Sequence, residues 1–312
     1  MKKTNVRYTI LAMLFIVTTM NYADRATLSM AATSIRTDLG LDVVSMGYTF
    51  SAFGWSYAAL QIPGGWMLDK FGSRVIYGVG LFLWSFFTFM QGTIGFLFGG
   101  SAFLALFTLR FLMGASEAPA FPANSRITTM WFPTHERGFA SAIFNSAQYF
   151  ALALFNPMMG WILVSFGWRH IFYAMGLLGI FMSFCWFKVI REPRHHPKIN
   201  QAELEYIQSG GGLATIDDKK TAIKWSYVQS LITNRMMVGV YLGQFSISTI
   251  TWFFLTWFPM YLVQAKGMSI LKVGIIASIP AIAGFIGGLL GGYVSDWLLR
   301  NGRSLTFARK AP

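Results

Sequence analysis

The chain has 312 residues, of which 54% are apolar and 12% are charged, with a formal net charge of +13. Soluble proteins usually carry about 25% charged residues, so this composition favours a membrane protein. The lone Cys185 excludes a disulfide framework. Aromatic residues make up 17% of the chain, which argues against a solvated basic surface that binds nucleic acid.

Apolar runs predict eight membrane-spanning helices. In chain order their expected bounds are 8–35, 47–68, 75–93, 100–122, 138–164, 168–190, 236–263 and 271–297. We expect Pro119 and Pro122 to end the fourth span and Pro157 to interrupt the fifth. Residues 191–234 break the apolar pattern and predict a cytoplasmic linker with one short surface helix near 202–207.

Basic residues are distributed unevenly between the two ends of these spans. With the N-terminus inside, 19 of the 25 Lys and Arg residues fall in inner segments and four in outer segments. The net charge is then +11 inside and +2 outside, which predicts a multi-pass protein with a cytoplasmic N-terminus. A cleaved signal peptide is the alternative for the first apolar run, but Asp24 and Arg25 stand where a signal would have apolar or small residues.

The inner ends of the second and eighth predicted spans carry similar sequences. Residues 64–74 read GGWMLDKFGSR and residues 291–303 read GGYVSDWLLRNGR, so both contain Gly-Gly-x-x-x-Asp followed by Gly and Arg. Their separation by six spans predicts a six-helix unit repeated in the same orientation, a known transporter construction. The residues predicted to form this cytoplasmic gate motif are Gly65, Asp69, Gly72, Arg74 and Asp296.

Four ionisable residues fall at membrane depth: Asp24, Arg25, Arg110 and Glu117. Placing charges there is costly, so a functional site is expected, with a purely structural ion pair as the alternative. Arg110 and Glu117 share a helix face about 10.5 Å apart along the axis, too far for a good direct pair. Asp24 and Arg25 are adjacent and point in different directions. We therefore expect each charge to find a partner on another helix or in a water-filled cavity.

Further polar side chains reach a similar depth on several spans. Because polar groups in lipid must be satisfied internally, we expect these faces to point at one cavity, with hydrogen bonding between helices as the alternative for each residue. The residues predicted to bind substrate, besides the two arginines, are Asn21, Tyr57, Gln61, Asn145, Gln148 and Gln244.

The charge sum predicts how such a site works. A guanidinium binds a carboxylate as a two-point fork, so Arg25 and Arg110 suit an acidic substrate. The four membrane charges sum to zero, and adding an anion would leave a net negative charge in a low dielectric. Protonating Asp24 or Glu117 removes that cost. The sequence therefore predicts that anion binding is coupled to proton binding.

The inner loops resemble those of the major facilitator superfamily. GGWMLDKFGSR (64–74) is similar to the superfamily's loop 2–3 signature, and WFPTHERGFASA (131–142) also looks like a superfamily segment. The closer resemblance is to the anion:cation symporter family, especially bacterial permeases for glucarate, galactarate and galactonate. The matching stretches are NYADRATLSMA (21–31), YTFSAFGWSYAALQIPGGW (48–66), RFLMGASEAPAFPANSR (110–126), IFNSAQYFALALFNP (143–157) and GQFSISTITWFFLTWFPMYLVQAKGMSILKVG (243–274).

This resemblance implies an all-α polytopic membrane protein with the major facilitator fold. It implies a six-helix N-terminal bundle at 1–190, the cytoplasmic linker at 191–234, and the first two helices of a C-terminal bundle at 235–312. Family members have twelve helices, so the resemblance also implies that a C-terminal third is absent. By resemblance, Asp24 and Arg25 match the family's proton-carrying Asp and its neighbouring Arg. Its second Arg and Glu, and its polar substrate contacts, match Arg110, Glu117, Tyr57, Gln148 and Gln244.

The expected function is proton-coupled import of a sugar acid such as glucarate or galactarate across a bacterial inner membrane. Asp24 and Glu117 would carry protons, while Arg25 and Arg110 would hold the substrate carboxylate. The expected partners are a hexarate or hexonate and the lipid bilayer, without nucleic acid, metal or cofactor other than the coupling protons, and the expected state is a monomer. A non-transporting substrate sensor, or an inactive truncated remnant, is the alternative. An enzyme is not expected, because no nucleophile has a base at the same depth.

Overall fold

The computed structural model describes residues 3–96, 102–213, 225–304, 306–307 and 311, without the side chains of 225–228, 288–289, 292–293, 295–296 and 299–300. Three predictions fall partly outside this range: residues 100–101 of the fourth span, residues 214–224 of the linker, and the Asp296 side chain of the gate motif. The α-helices are α1 (Val6–Leu39), α2 (Val43–Phe71), α3 (Ser73–Gln91), α4 (Ala102–Glu117), α5 (Ala120–Trp131), α6 (Arg137–Phe166), α7 (Trp168–Val189), α8 (Gln201–Ser209), α9 (Trp225–Thr233), α10 (Arg235–Trp252), α11 (Phe258–Gln264), α12 (Ile270–Ile276) and α13 (Ile279–Arg300).

The described part of each predicted span is largely helical, and the all-α class is confirmed. The eighth predicted span is not one helix, because a turn at residues 277–278 divides it into α12 and α13. Within the described residues, six helices are long and apolar enough to cross a membrane: Val6–Leu39, Ser73–Gln91, Arg137–Phe166, Trp168–Val189, Arg235–Gln264 and Ile270–Gly287. The predicted spans 47–68 and 100–122 are not among these six. The first corresponds to α2, which mixes polar and small residues with apolar ones, and the described part of α4 has only 16 residues. The number of eight spans and their division into bundles stay predictions.

Three prolines that were expected to end or interrupt helices do not all do so. Pro119 separates α4 from α5, as expected. Pro122 does not end a helix, because it lies in the first turn of α5, where a missing N–H group leaves no hydrogen bond unmade. The expected interruption at Pro157 is wrong, since α6 continues through it. Membrane helices tolerate internal proline where neighbouring helices satisfy the freed backbone groups.

A π-helical segment, Phe253–Trp257, joins α10 to α11, so the seventh predicted span is one nearly continuous helical stretch. This segment and α11 pack against α1, which also packs against α6 and α7. Glycine allows the closest approach between α2 and α4. A Cβ atom on Gly114 would lie only 2.4 Å from the carbonyl oxygen of Phe53. Close to that approach, the Arg110 guanidinium of α4 lies 5.2 Å from the Phe53 ring centroid of α2.

The surface helix predicted near 202–207 is α8, and it docks on the start of α1. The Glu203 carboxylate is fully buried and accepts hydrogen bonds from the backbone N–H groups of Val6 at 3.0 Å and Arg7 at 3.2 Å. A carboxylate at a helix N-terminus satisfies otherwise unpaired donors. We call the end of the bundle that carries the N-terminus, α8 and the α2–α3 turn the basic end, and the other end the opposite end.

Candidate functional site

The four membrane-depth charges lie close together between α1 and α4. The Nε and Nη2 atoms of Arg25 both contact Oε1 of Glu117, so a charge on α1 is paired with one on α4. Asp24 is fully buried, and its Oδ2 accepts a hydrogen bond from Trp84 Nε1 at 3.2 Å. Arg110 is also fully buried and interacts electrostatically with Asp24 and Glu117. The expectation that partners come from other helices is met by Arg25 and Glu117.

Aromatic rings hold the Arg25 guanidinium in place. Its central carbon lies 4.8 Å from the ring centroids of both Tyr22 and Tyr57, and 5.2 Å from that of Phe53. The guanidinium of Arg110 also lies 5.2 Å from the Phe53 centroid. Cation–π attraction to one shared ring therefore helps to hold two positive groups near each other, together with the two carboxylates.

A cavity of about 490 Å³ opens beside Arg25. Its size falls within the range of about 300–1,000 Å³ that is usual for small-molecule sites. Five of the predicted substrate-binding residues lie on its wall, namely Arg25, Tyr57, Gln61, Gln148 and Gln244. The other lining residues are Tyr22, Phe121, Tyr149, Ile247, Ser248, Thr251, Trp252 and Leu255.

Three predicted substrate-binding residues do not line this cavity. Arg110 is fully buried behind Phe53, and its Nη1 lies 3.4 Å from the sulfur of Met113. Asn21 is buried beside the Glu117 carboxylate. Asn145 is exposed, about one helical turn from Gln148 on the side of the basic end. In this conformation a molecule in the cavity reaches Arg25 but not Arg110.

The structure adds site residues that sequence reasoning missed. Trp84 supplies the hydrogen bond to Asp24, and Tyr22, three residues before Arg25, packs on its guanidinium. A buried carboxylate requires a donor, so the sequence did indicate that Asp24 would have one. Nothing in the sequence distinguishes Trp84 from the other ten tryptophans as that donor.

The gate motif forms its contacts at the basic end. Asp69 at the end of α2 makes an ion pair with Arg126 of α5. Gly72 has a φ of 80° in the tight α2–α3 turn, a conformation that disfavours other residues. Arg74 donates a hydrogen bond from Nη2 to the carbonyl oxygen of Phe187 at 2.7 Å. A Cβ atom at Gly65 would meet nothing within 4 Å, so close packing does not explain this glycine.

The cavity is closed on the side of the opposite end. There Ser29 of α1 donates a hydrogen bond to the carbonyl oxygen of Thr256 at 2.6 Å. The Trp257 ring packs 5.2 Å from that of Phe50, and the Trp252 ring lies 5.9 Å from that of Phe53. Towards the basic end, the first turns of α10 are exposed and contact α9.

Comparisons with known proteins agree with this architecture. A family model described as Major Facilitator Superfamily matches residues 14–309. The whole chain is 59% identical to a Bacillus subtilis protein named "Probable galactarate/D-glucarate transporter GudP", of which it covers 69%. It is 56% identical to the Escherichia coli K12 protein of the same name, covering 70% of it. Over 98% of the chain, it is 45% identical to the "D-galactonate transporter" of Escherichia coli O6:H1, covering 71% of that protein.

Solved structures show the same fold. A bacterial homolog to the human lysosomal transporter Spinster, in an inward-facing and unoccupied conformation, gives a TM-score of 0.73 at 20% identity, over 96% of this chain and 64% of that one. A D-xylose–proton symporter gives 0.68 at 16% identity, over 94% and 70%. The chain thus spans about two thirds of the length of these proteins.

Proposed function

Since the chain belongs to the major facilitator superfamily, we propose that it is a secondary transporter that imports a sugar acid such as galactarate or glucarate together with protons. The observation that carries this proposal is the ion pair between Arg25 and Glu117 at the wall of the cavity. Arg25 reaches the cavity, while Glu117 is fully buried behind it. A substrate carboxylate and Glu117 therefore compete for the same guanidinium.

This competition couples the anion to a proton. When the cavity is empty, Arg25 pairs with Glu117 and the four buried charges sum to zero. When a substrate carboxylate takes the guanidinium, Glu117 is left as an uncompensated buried anion, which is costly in a low dielectric. A proton on Glu117 restores neutrality. The cluster is therefore neutral when it holds neither ligand or when it holds one carboxylate and one proton.

The rest of the cavity suits a polyhydroxylated substrate. Tyr57, Gln61, Gln148 and Gln244 place a phenol and three amides around the space beside Arg25. Side-chain amides both donate and accept hydrogen bonds, as sugar hydroxyl groups do. A site of this kind discriminates against carboxylates that lack hydroxyl groups, because its own polar groups would then be left unpaired. The "galactarate/D-glucarate" names of the relatives favour a hexarate as the substrate.

Substitution of Arg25 tests the proposal. Uptake of labelled galactarate into liposomes that contain the protein is expected to be abolished by Arg25→Ala. The matched control is Arg169→Ala, which removes a partly exposed arginine that also pairs with a carboxylate, Asp38 at 2.8 Å, and does not line the cavity. The proposal is wrong if Arg25→Ala takes up galactarate at the wild-type rate, or if the wild type carries no galactarate.

We place the protein in a bacterial cytoplasmic membrane with its basic end in the cytoplasm. The excess of Lys and Arg at that end supports this orientation. In a Cys185→Ser background, a membrane-impermeant maleimide added to intact cells should label Lys266→Cys, at the opposite end, but not Gln201→Cys on α8. The reverse labelling pattern would contradict the orientation.

A further inference from the structure

A second set of buried polar residues lies behind the site, and the proposed transport cycle does not yet use it. We call it the polar track: Asn21, Thr18, Tyr77, Asn124, Thr128 and Ser73. These side chains come from α1, α3 and α5, and each is at most 4% exposed. None of them lines the 490 Å³ cavity. The track is therefore separate from the substrate cavity.

The residues of the track follow one another from Glu117 towards the basic end. Asn21 lies beside the Glu117 carboxylate. The Asn124 amide donates a hydrogen bond from Nδ2 to Thr18 Oγ1 at 3.0 Å, and the Tyr77 hydroxyl lies beside both of these groups. Tyr77 is also close enough to Glu117 to interact with it electrostatically.

One helical turn of α5 and one of α3 extend the track towards the basic end. Thr128 lies four residues after Asn124 on α5, and Ser73 lies four residues before Tyr77 on α3, so each pair shares a helix face. One turn advances the track about 5.4 Å. Ser73 also lines a cavity of about 190 Å³ at the basic end, whose wall includes Arg191 and Glu192. The track thus extends from the ion pair towards a cavity at the basic end of the protein.

Several buried polar atoms along this route have neighbours but form no hydrogen bond of good geometry within the described part of the protein. They are both polar atoms of the Asn21 amide, the Tyr77 hydroxyl, Asn124 Oδ1, Thr128 Oγ1 and Ser73 Oγ. Buried polar groups in proteins are almost always satisfied, by protein or by ordered water. A row of buried hydroxyl groups and amides between a carboxyl group and a cavity supplies the donors and acceptors that a proton path needs.

Glu117 also needs such a path. Once a proton is on its carboxyl group, the direct way back to the substrate cavity is blocked by Arg25, which stands between them and carries a positive charge. The other charged groups around Glu117 are Asp24 on α1 and Arg110 on α4. On the side of the track, the described neighbours are neutral hydroxyl groups and amides. These repel a passing proton less than the positively charged Arg25 guanidinium does.

We infer that the polar track is the route by which the proton leaves Glu117 for the basic end. This inference rests on the proposed proton coupling and adds the exit path to it. As the proton leaves, Glu117 becomes the carboxylate that pairs again with Arg25. The hydroxyl groups of Thr18 and Tyr77 each accept a proton on oxygen and release their own to the next water, so they end unchanged. Asn21 and Asn124 orient these hydroxyl groups and waters.

Two kinds of transport measurement distinguish this role from simple packing. Net uptake of galactarate driven by a pH gradient requires the proton to leave in every cycle. Exchange of internal for external galactarate at equal pH does not, because the loaded, protonated carrier returns without releasing its proton. A residue of the exit path is therefore needed for net uptake and not for exchange, while a residue that only supports the fold affects both.

The test uses Tyr77→Phe and Thr18→Val, each of which removes one hydroxyl group of the track. Each is expected to slow net uptake about tenfold or more and to leave exchange and galactarate affinity unchanged. The control is Tyr173→Phe, which removes a hydroxyl group that donates to the Gly92 carbonyl oxygen at 2.8 Å, away from the track. It should leave both activities unchanged.

Three results would overturn the inference. In the first, both track variants keep the wild-type rate of net uptake. In the second, both lose exchange and net uptake to the same extent, which assigns the hydroxyl groups to the fold. In the third, the wild-type protein exchanges galactarate but shows no uptake driven by a pH gradient, in which case the proton coupling itself fails. An absence of exchange in the wild type would instead refute the proposed transport function.

Discussion

Replacing Glu117 with glutamine should separate substrate binding from proton release. Arg25 contacts Oε1 of Glu117 through two of its nitrogens, and a substrate carboxylate must displace these contacts. Hydrogen bonds between charged groups contribute about 1.5–3 kcal/mol, roughly twice as much as neutral ones. Glutamine keeps the shape of the side chain and loses its charge, so the free energy of the Arg25 contact that the substrate must displace should fall by about 1.4 kcal/mol. That difference corresponds to about tenfold tighter binding of galactarate.

The assay is calorimetric titration of galactarate into the purified protein, followed by transport in liposomes. Glu117→Gln should bind about tenfold more tightly, keep exchange, and lose uptake driven by a pH gradient. The control is Glu136→Gln, since Glu136 also pairs with an arginine, Arg7 at 3.0 Å, but lies at the basic end. The competition argument is refuted if Glu117→Gln binds galactarate no more tightly than the wild type, or if it still accumulates galactarate.

Two further predictions concern packing at the cavity and stability in acid. Gly284→Ala should raise the KM for galactarate, because the added Cβ would lie 2.7 Å from Cε1 of Tyr149 and displace that ring into the cavity. The control is Gly287→Ala, whose added Cβ would meet nothing within 4 Å. Equal KM values for the two variants would contradict this. At the basic end, partial burial opposes ionisation of Glu136, but the Tyr206 hydroxyl group and other contacts hold the pKa of Glu136 below its ordinary 4.5. The ion pair of Glu136 therefore stabilises the fold above pH 4.5, and this stabilisation is lost as the pH falls through the lowered pKa. We expect Glu136→Gln to reduce Tm at neutral pH and to reduce it much less in acid. An equal loss of Tm at both pH values would contradict this prediction.

Local sequence signals were sufficient for the helices and insufficient for their details. Long apolar runs define a helix in lipid because every backbone group must be satisfied within the segment, so the described part of each predicted span is largely helical. The effect of each proline on its helix was predicted less accurately. Pro119 breaks a helix and Pro157 does not, although the two residue types are identical. The difference depends on what neighbouring helices offer to the freed backbone groups, which one chain's local pattern does not reveal.

The charged residues of the site could be found from the sequence, and their pairing could not. Ionisable residues inside an apolar span are rare and costly, so Asp24, Arg25, Arg110 and Glu117 were visible at once. Which charge pairs with which depends on the rotation and register of α1 against α4. Only the structure shows that Arg25 forms an ion pair with Glu117 and lines the cavity, while Arg110 lies behind Phe53.

The pH inside liposomes is the most direct test of the central claim, that anion and proton bind to one neutral cluster. The liposomes contain the protein and a trapped pH indicator, and external galactarate is added at equal pH on both sides. We expect the interior to become more acidic as galactarate enters, and we expect Glu117→Gln to abolish this change. Entry of galactarate into wild-type liposomes without any change of internal pH would contradict it.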